Sequence, residues 1–132
     1  MNFTQEHQWL REEPDGTITI GITDYAQEEL GDIVFIEMPD IDAHVDDGDE
    51  LVNIESVKAM GEVRAPFGVT VVAVNTDLIE GGDDTGSMAA QPELVNSEPL
   101  DGGWLVRIQP DEAVEWSDFM DEDGYAAYIE GL

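Results

Sequence analysis

The chain contains no cysteine and almost no cations: its 132 residues hold four Lys+Arg and two histidines against 32 Asp+Glu. The first absence excludes disulfides and thiolate metal sites, so any redox sulfur must come from an attached group. The second excludes nucleic acid as a default partner, because phosphate contacts need basic side chains. No apolar run is long enough to span a membrane, and no membrane association is expected. The stretch from Met1 to His7 has neither a basic segment nor an apolar one. A secretory signal is therefore not expected, and the expected location is the cytoplasm.

What is present is a chain that can build a core. It is 42% hydrophobic, and its length suits one domain over residues 1–132. The formal net charge is −28, with the acids dispersed along the chain rather than gathered in a tail. A dispersed acidic surface reads as solubility adaptation of the kind suited to a high-salt (halophilic) cytosol, and its self-repulsion favours a monomer.

The patterning is mainly β. Residues 17–22 alternate so that Ile18, Ile20 and Ile22 share a face. Thr23 can cap a short helix over 24–30, and Gly31 can end it. Residues 32–38 are apolar on both faces, which predicts a well-buried strand stopped by Pro39. His44 and Val45 form a short extended piece before the acidic turn Asp46-Asp47-Gly48-Asp49. Residues 50–56 and 60–65 read as the two arms of a hairpin with Lys58 near its tip, although no Asn-Gly or Asp-Gly turn signal lies between them. Residues 68–75 add a β-branched strand. Residues 79–91 look like an inserted flexible surface loop. In the tail, Trp116, Phe119, Met120, Tyr125 and Tyr128 suit amphipathic helical turns that Gly124 is expected to interrupt.

Lys58 is the only lysine; the other cations are Arg11, Arg64 and Arg107. Acidic adaptation removes lysines and can leave one by chance. An amine, however, can form an amide, which a guanidinium does poorly. The surrounding residues favour the chemical role. Glu55-Ser56-Val57-Lys58-Ala59, then Ala65-Pro66 and Gly68, resembles the lipoylation site of the glycine cleavage system H-protein family. The resemblance extends through His7 and Trp9, the block from Gly21 to Gln27, and Leu30-Gly31-Asp32-Ile33-Val34. It continues through Val74-Asn75, Pro92 to Asn96, Glu98-Pro99 and Gly103-Trp104.

That resemblance implies a hybrid barrel-sandwich of two antiparallel sheets with short helices and a helical C-terminal tail. It implies lipoate joined by an amide to Lys58, with Glu55, Ser56, Val57 and Ala59 as the rest of the attachment motif. The implied function is that of a carrier with no catalytic site of its own. It would shuttle the aminomethyl group of glycine from a glycine decarboxylase to an aminomethyltransferase. A dihydrolipoyl dehydrogenase would reoxidise the arm, and a lipoate-attaching enzyme would load it. Glu6, Gln8 and Tyr25 are implied to lie near a cleft that shelters the arm. Three departures stand out: Gln8 where the family often has Glu, Leu100 where it often has Tyr, and a loop after Leu78 longer than the family leads one to expect.

Rival readings fit less well. A biotin carrier normally flanks its lysine with methionines, not with Val57 and Ala59. A lipoyl domain of a 2-oxo acid dehydrogenase would be shorter. An H-like protein that relays lipoyl groups to other enzymes without cleaving glycine remains the alternative. His7 and His44 have no recognisable zinc spacing. Residues 119–130 match calcium-loop offsets only with Phe119 as first ligand, which cannot coordinate the ion, so no metal is expected. Trp9 and Trp104 read as core or rim aromatics. The charge predicts salt-dependent folding: the melting temperature should rise by about 5 °C or more from dilute buffer to molar salt, the equivalent of roughly 1 kcal/mol in a small domain. An unchanged melting curve would refute it.

Overall fold

A computed structural model describes residues 1–78 and 93–131, so the loop expected at 79–91 lies outside the described residues. The strands are β1 (Asn2–Phe3), β2 (Gln8–Glu12), β3 (Ile18–Ile22), β4 (Ile33–Glu37), β5 (His44–Val45), β6 (Glu50–Ser56), β7 (Met60–Arg64), β8 (Val69–Val74) and β9 (Val106–Pro110). The helices are α1 (Asp24–Leu30), α2 (Leu94–Ser97) and α3 (Glu122–Glu130), with single 3-10 turns at Thr76–Leu78 and Trp116–Asp118. One sheet runs β1-β2-β3-β9-β8-β5 and the other β4-β6-β7. All the strand pairings are antiparallel. The expected mainly-β architecture of two sheets, short helices and a helical tail is therefore observed.

One buried cluster joins the two sheets. The larger sheet supplies Leu10, Ile18, Ile20, Ile22, Val71 and Ile108; the smaller supplies Ile36, Val52, Ile54 and Val63. Each such side chain contributes about 1.5–3 kcal/mol on burial. The alternation expected in β3 holds, but every residue of that strand is buried, because its other face is covered as well. Trp9 lies opposite Gly21 in the β2–β3 register and is fully buried with Phe3 and Tyr125. The indole crosses Gly21 so closely that a Cβ there would fall 2.5–2.6 Å from three ring atoms. Its Nε1–H donates to the Pro99 carbonyl at 2.8 Å. The helical tail completes this second cluster, with Tyr125 stacked on Phe3 at a centroid distance of 4.6 Å.

Two expectations are corrected. Residues 32–38 do form a strand, but not a doubly buried one: Val34 and Phe35 are each 52% exposed. β4 is an edge strand of the small sheet, and its register slips between Ile33 and Phe35, leaving Val34 as the extra residue of a bulge. Gly124 does not interrupt the tail helix. It lies in the first turn of α3, where its N–H donates to the Asp121 cap at 2.7 Å. The break comes earlier, where Phe3 and Met120 exchange backbone hydrogen bonds of 2.8 and 3.0 Å. Residues 122–130, part of the calcium-loop match, are helix rather than loop.

Gly21→Ala should cost about 1–3 kcal/mol, since neither the strand nor the rigid indole can yield. Urea denaturation checks this; a variant as stable as the parent would refute the close approach.

Candidate functional site

Lys58 lies in the turn between β6 and β7, next to the Glu55–Met60 pair of the hairpin. The Ser56 N–H donates to the Ala59 carbonyl at 2.8 Å. The Ser56 hydroxyl organises the rest: it accepts from the N–H of Lys58 at 3.3 Å and of Ala59 at 3.0 Å, and donates to the Ala59 carbonyl at 3.1 Å. This turn needs no left-handed residue. Positive φ among the described residues occurs only at His7, Asp42, Gly16, Gly31 and Gly48. That is why the hairpin forms without an Asn-Gly signal. Val57, Lys58 and Ala59 are all exposed. Among the described residues no carboxylate is paired with the Lys58 ammonium.

The hairpin rests on the end of α1. Thr23 caps that helix by accepting from the Ala26 N–H at 3.3 Å, and Gly31 ends it at φ +81° with its N–H on the Gln27 carbonyl. The Val57 N–H donates to the Asp32 carbonyl at 3.0 Å. The aliphatic stem of Lys58 lies over Gly31, where a Cβ would fall 3.1 Å from the lysine Cε. Leu30 leans on Gly61 in the same way, at 3.1 Å from a Cβ placed there. Asn96 of α2 fastens this support from below. Its amide donates to Gln27 Oε1 and to the Gly31 carbonyl, and its Oδ1 accepts from the Ile33 N–H, all at 2.9 Å. The sequence marked Gly31 as a helix stop and Asn96 only as a member of a longer matching block; their task beneath the turn becomes visible once the turn is built.

A cavity of about 200 Å³ opens beside this support, with Leu30 and Gly61 in its wall. Its floor is apolar, from Ile22, Ile54 and Val63, and its rim carries Glu6, Glu29 and Glu62. Gln8 also lines it but is only 2% exposed. The Gln8 amide is committed to the scaffold, donating to the Arg64 carbonyl at 2.6 Å and accepting from the Thr4 hydroxyl at 3.2 Å. Glu6 and Gln8 thus share a wall. Tyr25 does not: it lies against the His7 ring at 4.5 Å and lines a separate depression with Phe3, Leu100 and Tyr125. Glu29 and Glu62 were not singled out in the sequence, since carboxylates are everywhere in it.

The two histidines occupy unrelated places. His7, in a left-handed turn at φ 67°, places Nδ1 2.8 Å from the Tyr125 hydroxyl, which is 2.7 Å from Thr23 Oγ1. Burial holds its pKa below the usual histidine value, against the opposing pull of Glu29. His44 Nε2 lies 2.6 Å from Asp111 Oδ2. That hydrogen bond, then the Asp111 charge and that of Asp46, raises its pKa. Trp9 is core, whereas Trp104 lies at the rim beneath the Arg107 guanidinium, 4.9 Å from the ring centroid.

Comparison with known proteins agrees with this geometry. The family model described as glycine cleavage H-protein matches residues 1–131. The chain belongs to the glycine cleavage H-protein family. Curated glycine cleavage system H proteins of Vibrio cholerae serotype O1 are 45% identical over 130 residues, covering 98% of this chain and 95% of theirs. That of Coxiella burnetii is 41% identical over 128 residues, covering 97% and 91%. The crystal structure of a glycine cleavage system H protein from Mycobacterium marinum superposes with a TM-score of 0.79 at 29% identity, over 99% of this chain and 96% of that one. As a glycine cleavage H-protein, the chain is a carrier component of that system and not one of its catalysts.

The histidines should titrate on opposite sides of 6.5. His7 holds a proton less readily when folded, so its contribution falls as pH drops below about 6.5. His44 holds one more readily, so its contribution is complete below about 6.5 and is lost as pH rises through its raised value. An NMR titration should place His7 below and His44 above that value, with Asp111→Asn moving His44 back down. The reverse order would refute these environments.

Proposed function

We propose that Lys58 carries lipoate in amide linkage and that this H-protein presents the arm in turn to a glycine decarboxylase, an aminomethyltransferase and a dihydrolipoyl dehydrogenase. The observation that carries the proposal is the only amine-bearing side chain in the sequence, exposed within Glu55-Ser56-Val57-Lys58-Ala59 at the end of a hairpin braced from below. An arginine there would keep its charge and resist acylation.

The residues present fit such a group. The lysine stem is directed by Gly31, and the turn is fixed by Ser56 rather than by contacts to the ammonium. When attached, the lipoyl dithiolane supplies the sulfur chemistry: one sulfur takes up the aminomethyl carbon of glycine while the other is reduced. The protein's own part is to hold the root of the arm still. A tethered group reaches a docked active site at an effective concentration set by its linker, so a firm root keeps that concentration high. Amide formation also removes the only lysine charge. The cavity beside the hairpin has an apolar floor and the carboxylates Glu6, Glu29 and Glu62 at its rim, a lining that suits an apolar chain ending in an amine. Gln8 keeps its amide on Arg64 and acts there as part of the wall. The chain works as a single carrier domain, monomeric and cytoplasmic, loaded by a lipoate-attaching enzyme.

Intact-mass measurement on protein from its own cell should show a lipoyl increment on Lys58. Lys58→Arg should abolish that increment and reduce glycine–bicarbonate exchange with the decarboxylase to background. Lipoate-dependent exchange retained by the arginine variant would overturn the assignment. A lipoylated parent that supports no exchange would favour lipoyl relay to other enzymes.

A further inference from the structure

The small sheet leaves one end of its outer face bare. Phe35 of β4 and Met60 of β7 flank Glu55 of β6 in one cross-strand row, so the three side chains share a face. Phe35 is 52% exposed and Met60 is 67% exposed, with Val57 in the adjoining turn at 68%. The next row along the strands is Glu37, Asn53 and Glu62. Exposed apolar side chains thus lie side by side with acids on a chain of formal charge −28. This patch also immediately adjoins Lys58.

We infer that this patch of Phe35, Val57 and Met60, edged by Glu37 and Glu55, is the docking surface for the enzyme that acylates Lys58. The inference rests on the proposal that Lys58 is the lipoylated residue. Two observations select that partner. The first is position. An enzyme that forms the amide must bring its active site to the lysine nitrogen itself, and so covers the hairpin end. Enzymes that use the finished arm act on the sulfurs at its far end, and the exchange assay below separates them from the acylating enzyme. The second is charge. The acids beside the patch call for a partner face with an apolar depression edged by arginine or lysine, which steers encounter as well as holding the complex.

In the step served, an activated lipoyl acyl phosphoanhydride is attacked by the neutral amine of Lys58. The bond from the acyl carbon to the phosphate oxygen breaks as the amide bond forms. The nucleoside monophosphate leaves with that electron pair, and the nitrogen gives up its proton to solvent or to an enzyme base. No oxidation or reduction occurs.

The test measures initial rates of lipoylation of the unmodified protein by a purified lipoate-attaching enzyme with ATP and lipoate, read by intact mass. Phe35→Ser with Met60→Gln should raise KM for the protein at least tenfold while kcat stays within twofold. Glu37→Lys should raise KM severalfold and weaken its salt dependence. Both large side chains are exposed, so the double variant should melt with the parent. Driven to full lipoylation at high enzyme concentration, it should support glycine–bicarbonate exchange at the parent's rate. An unchanged KM in the double variant overturns the inference. So does a parallel loss of exchange by the fully lipoylated variant, which would assign the patch to an enzyme that uses the arm. If the parent takes no lipoyl group on Lys58, the carrier proposal itself fails. If the parent and the double variant load alike, only the docking inference fails.

Discussion

The hairpin that holds Lys58 is as firm as the turn beneath it, and that turn hangs on Asn96. One amide side chain ties the end of α1, the Gly31 carbonyl and the start of β4 together through three hydrogen bonds. Each bond contributes about 0.5–1.5 kcal/mol net, but leaving these part-buried partners unsatisfied would cost more. On this base sit the Asp32 carbonyl that holds Val57 and the bare Gly31 that takes the lysine stem. A segment distant in sequence thus sets where a single amine stands.

Charge works in the opposite sense. With 32 acids and four Lys+Arg, long-range repulsion acts against the compact state everywhere. The few cations are used locally. Arg11 pairs with Glu13 at 3.0 Å, Arg64 pairs with Glu62 at 2.9 Å, and Arg107 lies over Trp104. Lys58 alone is left without such a partner among the described residues, consistent with a residue kept for its chemistry.

Much of this was legible in the sequence. The alternation of Ile18, Ile20 and Ile22, the Thr23 cap and Gly31 stop, and the hairpin on either side of Lys58 all follow from local rules, and all appear in the structure. What failed was decided by neighbours that local rules cannot see. Val34 and Phe35 looked buried by composition, but an edge position and a bulge turned them outward. Gly124 looked like a breaker, yet at a capped first turn a glycine N–H serves as well as any other. Glu6, Gln8 and Tyr25 were grouped by family resemblance. The structure sets Glu6 and Gln8 in the wall of one cavity and Tyr25 against the ring of His7, which lines that cavity too; any sheltering of an arm by them is part of the proposed function. Asn96 carried no signal of its own because its partners lie 63–69 residues away.

The sealing of Trp9 has a consequence for biosynthesis. The indole leaves the ribosome well before the surfaces that enclose it, which come from Pro99, 90 residues further along, and from Tyr125. β3, too, waits for β9 before its second edge is paired. The nascent polypeptide must therefore keep a large aromatic and an open strand edge in solution until those later segments have been made. A dense coat of negative charge, which keeps half-made chains apart from one another, suits that interval.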